Sequence, residues 1–168
     1  MGEDMSTYDD RKGASKATDP AVTVVGAGPA GLACAIALAR AGRRVVVNEW
    51  HQRVGARFHG DFQGIENWSD ERDALDELRS AGIETDFDHH AATAGTAFDD
   101  RGRRYRMHGD RPLYYLVRRG SGDGTLDSAL LRQAAAAGVE VRMGSRADRA
   151  AGTVVLAAGP RIADAIAV

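Results

Sequence analysis

Cysteine is almost missing from these 168 residues: Cys34 stands alone. A single cysteine makes no internal disulfide and no Cys-x-x-Cys redox pair, and it fits a reducing compartment. The cytoplasm is therefore the expected location. Lysine is nearly as scarce. Lys12 and Lys16 are its only instances, so every later basic residue is arginine and no Tyr-x-x-x-Lys catalytic pair exists beyond position 16. An excess of one charge is also lacking: 22 basic against 24 acidic residues leave a formal charge of −2, without the basic footprint of a nucleic-acid module. No apolar run approaches the ~20 residues of a membrane helix. The opening MGEDMSTYDDRKG lacks the basic-then-apolar order of a secretory signal. Neither nucleic acid nor an integral membrane segment is thus expected.

What is present is a globular composition, 43% hydrophobic and with 20 glycines, above the usual share of ~7% for glycine. Residues 1–20 are polar, without apolar period, and read as a disordered tail. Order is expected over 21–168. Val22, Val24 and Val25 form a β-branched run. Leu32, Ala35, Ile36 and Ala39 then recur at helical spacing up to a capping Gly42, and Val45 to Val47 make a second strand. Residues 50–68 read as a long structured loop. Ser69 is expected to cap a helix over Asp70 to Ala81. A β-rich excursion is expected at about 84–119, with a hairpin around Asp100 to Arg103 and a strand at PLYYLV. A helix over Thr125 to Ala137 carries Leu126, Leu130, Ala134 and Ala137 on one face. Short strands at Val139 to Val141 and Val154 to Leu156 follow. The fold class is α/β, a Rossmann-like parallel sheet with a β-rich excursion.

Residues 24–32, VVGAGPAGL, hold the glycine pattern G-x-G-x-x-G. Gly26 permits a tight turn out of the strand. Gly28, with no Cβ, lets a pyrophosphate approach the backbone between Ala27, Pro29 and Ala30. Gly31 allows close packing of helix on strand. Pro29 suits the first helical position, where its missing N–H is not needed, and the helix start offers free N–H groups to phosphate. An acid is expected ~20 residues on to hold a ribose. Glu49 follows Gly26 by 23 residues, directly after the second strand. A carboxylate there repels a 2′-phosphate, so the site suits FAD, or less well NAD, and disfavours NADP.

GAGPAGLACAIALARAGRRVVVNE resembles the FAD-binding start of the glutathione-reductase-type flavoproteins. Gly55, six residues after Glu49, is similar to the E-x5-G pattern of the geranylgeranyl-reductase-like branch. LYYLVRRGSGDGTLDSALLRQAAAAGVEVR resembles that branch's strand–Arg–helix–strand segment, which aligns Arg119 with an arginine that contacts the flavin and Leu126-Asp127 with the start of its helix motif. VVLAAGP resembles the strand that returns to the FAD pyrophosphate, ending here at Ala158-Gly159 where the family usually has Ala-Thr-Gly or Ala-Asp-Gly. The resemblance implies an FAD-dependent oxidoreductase in which reduced flavin delivers hydride to an isoprenoid double bond, with NAD(P)H or a ferredoxin as donor. The family continues into a substrate domain and a second FAD motif. The resemblance therefore implies the N-terminal portion of such an enzyme, an incomplete domain completed by a C-terminal half or by homo-oligomerisation.

Rival readings stay open. An FAD-dependent monooxygenase or amine-oxidase-type relative shares the fingerprint, and a catalytically silent nucleotide-binding module fits the missing second motif. His59 and Asp61 lie where the family passes the flavin ring, but as loop residues they more simply bond their neighbours. Asp88-His89-His90 is too small a set for a metal site. Cys34 reads as a small core residue. Seven arginines between 101 and 119 are interleaved with Asp99, Asp100 and Asp110, as on a solvated hairpin. Tyr105, Tyr114 and Tyr115 read as sheet-face residues.

Overall fold

The computed structural model describes residues 20–146 and 152–159. The tail expected over 1–20 lies outside the described residues apart from Pro20, as does whatever follows Gly159.

The order of elements is β1 (Val22–Val25), α1 (Pro29–Arg40), β2 (Val45–Glu49), β3 (Phe62–Glu66), α2 (Ala74–Ser80), β4 (His89–Ala92), β5 (Ala94–Phe98), β6 (Arg104–His108), β7 (Tyr114–Arg118), α3 (Leu126–Ala136), β8 (Glu140–Met143) and β9 (Val154–Leu156). Strands β8, β2, β1 and β9 form one parallel sheet in that order. The α/β class expected from the sequence is the one observed. Parallel strands need crossovers, and α1 supplies the first of them. Its buried face is Gly31, Leu32, Ala35 and Ile36. The face of α3, Leu126, Ala129, Leu130 and Ala134, is buried against it. Alanines on both helices permit a close approach, and Val24 and Val47 of the sheet close the core beneath them.

A second, antiparallel sheet has the order β3-β7-β4. The segment expected as a loop over 50–68 thus contains a strand. In β3, Gly64 interrupts the apolar pattern and hides it from a periodicity reading, while pairing with β7 supplies what the local sequence does not. The expected excursion over 84–119 holds β4 to β7, and its sheet recruits β3 from before it. Strands β5 and β6 make the separate hairpin.

The helix expected from Asp70 begins later. Asp73, not Ser69, caps α2: its side chain accepts the Leu75 N–H at 2.9 Å. Asp70 instead folds its own turn by accepting the Arg72 N–H. Asn67 fastens this corner from within, donating to Pro112 O at 2.8 Å and accepting from Ala74 N at 2.7 Å. For α3, expected over Thr125 to Ala137, the helix runs from Leu126 to Ala136 and Thr125 stands just outside it as the cap. Gln133, not foreseen, completes its buried side by bonding Glu84 and Asp86. Cys34 is half-buried on α1.

Candidate functional site

The C-terminal ends of β1, β2 and β9 lie side by side, and the chain leaves β1 toward β2 on one side while β9 returns on the other. Ligands of open α/β sheets settle at such a switch point. The glycine loop sits there, and its three glycines divide by cause. Gly26 has a φ of +102°, and a Cβ on it would meet Ala157 O at 2.6 Å. A Cβ on Gly31 would sit 2.0 Å from Gly26 O. Both glycines are required by the protein's own packing, with β9 pressed on the turn and α1 pressed on β1. Gly28 is different. Its φ is −73° with extended ψ, which any residue can adopt, and among the described residues a Cβ there would meet no atom within 4 Å. Neither backbone strain nor packing explains a glycine at 28. Open space directly over the start of α1 does, if a ligand fills it.

The start of α1 has no side-chain cap: Gly28 is its N-cap residue, with Pro29 at the first position. Leu32 N–H bonds Gly28 O, so the N–H groups of Ala30 and Gly31 precede the first intrahelical bond. They and the helix dipole face the open space, a suitable cradle for a pyrophosphate.

Glu49 ends β2 beside this loop. Its Oε2 accepts the Ala27 N–H at 2.8 Å, and its Oε1 accepts His51 N–H at 2.9 Å with His51 Nδ1 at 2.7 Å. The structure therefore joins Glu49 to the glycine loop directly, a link that spacing alone did not show. A carboxylate oxygen accepts more than one hydrogen bond, so the pair retains acceptor capacity for ribose hydroxyls. Trp50, stacked on His51, lies under the Arg146 guanidinium at 4.2 Å from its ring centre. Asn48, largely buried, accepts from Ser145 Oγ at 2.9 Å and fixes the strand end.

Gly55 and Arg119 form a second group. Gly55 has a φ of +60°, and a Cβ on it would meet Gly120 at 2.7 Å, so its glycine character follows from packing of the 55–61 loop on the end of β7. That loop is bound through backbone: Gly60 N–H to Arg119 O, and Arg119 N–H to Asp61 O. Arg119 is buried. Its Nε and Nη2 donate to the two oxygens of Asp127 at 2.8 and 2.9 Å, Nη1 donates to Gln63, and its face lies 4.3 Å from the Phe58 ring centre. Asp127, fully buried, also accepts Gly120 N–H at 3.0 Å. The arginine assigned by resemblance to a flavin is thus held by three side chains of its own protein. Asp127, Gln63 and Phe58 were not read as its partners. A buried aspartate two residues inside a helix was the available signal, since such a charge requires a cation.

Gly159, with a φ of +64° and no atom of the described residues within 4 Å of where its Cβ would lie, follows β9 on the same sheet end as Gly26. His59 N–H bonds Asp61 Oδ2. Asp88 pairs with Arg118 at 2.7 Å and His89 Nδ1 bonds Phe87 O at 2.9 Å. Among the described residues no three His, Cys, Asp or Glu side chains are grouped to hold a metal. Tyr115 is buried, and its hydroxyl donates to Asp73 at 2.5 Å. Burial and that neighbouring carboxylate push its pKa up to about 12. Tyr114 is half-buried, while Tyr105 is exposed and donates to Asp99. An open depression of about 610 Å³ lies away from the glycine loop, lined by Trp68, Ser69, Asp70, Glu71 and Arg111. Arg111 there donates to the Asp70 and Glu71 carbonyls, so it closes a turn.

A family model for an NAD(P)-binding Rossmann-like domain matches residues 24–64. Thiamine thiazole synthase from Methanococcus maripaludis is 44% identical over 68 residues, 40% of this chain and 26% of that protein. Among solved structures, 2-methyl-3-hydroxypyridine-5-carboxylic acid oxygenase in a tetrameric form superposes with a TM-score of 0.57 at 23% identity, covering 76% of this chain and 32% of that one. A geranylgeranyl bacteriochlorophyll reductase-like protein from Thermoplasma acidophilum gives 0.51 at 20% identity over 74% and 30%. p-Nitrophenol 4-monooxygenase from Pseudomonas putida gives 0.53 at 21% identity over 74% and 31%. At these identities the likeness establishes the fold. The chain spans about a third of the length of these structures. Among the described residues no helix is long and apolar enough to cross a membrane.

Proposed function

We propose that this chain binds FAD and forms the dinucleotide-binding part of a flavin-dependent oxidoreductase. The observation that carries the reading is Gly28. It is a glycine with neither strain nor packing to require it, over an uncapped helix start and beside a carboxylate tied to the same loop. The residues present fit the group. The Ala27 to Gly31 backbone would hold the pyrophosphate, and Glu49 would accept from the ribose of the adenosine half. Gly159 would border the phosphates from β9. The flavin, when bound, supplies hydride acceptance and donation. Arg119, through Asp127, would fix the 55–61 loop, with Gly55 as its tight contact.

FAD is preferred to NADP because Glu49 sets a negative charge where a 2′-phosphate would lie. The neighbours named above include two oxygenases and a reductase-like protein, and these support a flavin enzyme without choosing its reaction. Reduction of an isoprenoid double bond is the reading that the Gly55 and Arg119 segments favour. Monooxygenation is the second, favoured by the superpositions on the hydroxypyridine and nitrophenol oxygenases. A C-terminal half or a further subunit would supply the substrate side in either case.

Titration of the protein with FAD, NAD and NADP, followed by visible absorption and Trp fluorescence, tests the proposal. FAD is expected to bind, and NADP to bind far more weakly. Glu49→Gln is expected to weaken FAD by about 1–3 kcal/mol, the worth of a charge-assisted hydrogen bond. Equal FAD affinity in parent and variant overturns the role of Glu49. Retention of none of the three nucleotides overturns the proposal for this chain alone.

A further inference from the structure

The β5–β6 hairpin is the least covered part of the described chain. Every β6 residue is exposed, and Phe98, Tyr105 and Met107 are 66%, 45% and 45% exposed. A two-stranded ribbon with both faces in water is marginal by itself. Its hydrogen-bond phase is readable. Asp99 N–H bonds Arg103 O and Gly109 N–H bonds Thr93 O, so the odd-numbered β5 residues pair inward with β6. Ala94, Thr96 and Phe98 accordingly direct their N–H and C=O groups outward, and among the described residues nothing bonds them.

The hairpin's two outer edges differ in chemistry. On β6 the outward positions are Arg104, Arg106 and His108. A second copy pairing there about its centre would set Arg106 directly opposite Arg106, a repulsive cross-strand pair. On β5 the sequence is Ala-Gly-Thr-Ala-Phe, without the charge or proline that normally protects an edge. Antiparallel pairing centred on Thr96 sets Thr96 opposite Thr96, a favourable pair. It also sets each Phe98 opposite the small Ala94 of the other copy. The arginine rows are then the outer strands of a four-stranded ribbon, three strand spacings or about 14 Å apart, beyond the Debye length of about 8 Å.

We infer that β5 is a self-association edge and that its occupant is β5 of a second copy of this chain. The result is a symmetric sheet in the order β6-β5-β5-β6. The interface is small against the ~1,600 Å² of a stable dimer, so association is weak and concentration-dependent. It does not involve the glycine loop and does not rest on the flavin reading.

Sedimentation velocity on the full chain, from about 5 to 300 μM, tests the inference over the range open to a small interface. A monomer–dimer equilibrium is expected within that range. Thr96→Pro removes only an outward N–H, and Thr96→Lys adds a charge to the edge. Each is expected to weaken the dimer about tenfold or more, with an unchanged circular dichroism spectrum. The two variants act differently on the hairpin, so loss of association in Thr96→Lys with native spectrum carries the result if Thr96→Pro misfolds. Arg106→Thr is expected to leave the dimer within about twofold, since β6 lies on the far side. A parent that stays monomeric to the highest concentration overturns the inference. So does a dimer that both Thr96 variants leave intact, or one that Arg106→Thr strengthens.

Discussion

Two helices of this fold begin in opposite ways. Helix α3 starts under a full set of side chains. Thr125 accepts the Ser128 N–H, and Asp127 takes Arg119 and the Gly120 N–H into a buried pair. Helix α1 starts at a glycine, with no side chain on its first amides and open space above them. Both starts follow a strand and both carry small residues in the turn before. The difference is what meets the helix dipole: the protein itself at α3, and by our reading a ligand at α1. Fully satisfied polar groups rigidify a structure, whereas donors left unpaired at a helix start suit an anion.

The largest expected effect comes from breaking the filled start. Asp127→Ala leaves Arg119 as a buried, unpaired cation and should cost about 3–5 kcal/mol of stability. Chemical denaturation measures it, and a loss under about 1 kcal/mol would mean that Arg119 finds water or another acid. The reverse change is Gly28→Val. Gly28 has room and ordinary backbone angles, so stability should move by no more than about 0.5 kcal/mol. FAD binding, read by visible absorption, should nevertheless be lost. A large loss of stability with binding retained would invert the assignment of the two starts. Thr125→Ala is smaller, about 1 kcal/mol, the usual worth of an N-cap, and thermal melting resolves it.

The third helix start supplies the finest test. Partial burial pushes the Asp73 carboxyl up, but hydrogen bonds from Tyr115, the Leu75 and Asp76 amides and Asn67 outweigh it and hold the pKa below its ordinary 3.8. A lowered pKa stabilises the fold above the ordinary value, and that stability is lost as pH falls through the lowered one. Tyr115 runs the other way: raised from 10.0 to about 12, its contribution is complete below pH 10 and lost as pH rises toward 12. Helix α2 should therefore loosen below pH 3.8 by amide exchange at Leu75.

Much of this was legible in order along the chain. The β1-α1-β2 unit, the glycine fingerprint and Glu49 are local in sequence, and each glycine pattern or β-branched run is itself the physical cause of its element. The span of α3 and the hairpin turn were legible for the same reason. Strand β3 was not, because its five residues carry no clear period and form a strand through β7, which lies far along the chain. The Asp73 cap displaced Ser69 because Tyr115 reaches it from a distant strand, beside a bond from the nearby Asn67.

The sequence by itself determined the class of fold and the kind of loop that can hold a dinucleotide, since backbone freedom at glycine and apolar periodicity act within a few residues. Only the tertiary structure decided what each residue is for. It showed that Gly26, Gly31 and Gly55 answer to neighbouring backbone while Gly28 answers to nothing among the described residues. It also showed that Arg119 is bound by Asp127, Gln63 and Phe58. Close packing and buried charge pairing join residues distant in the chain, and the spacing of residues contains no record of that.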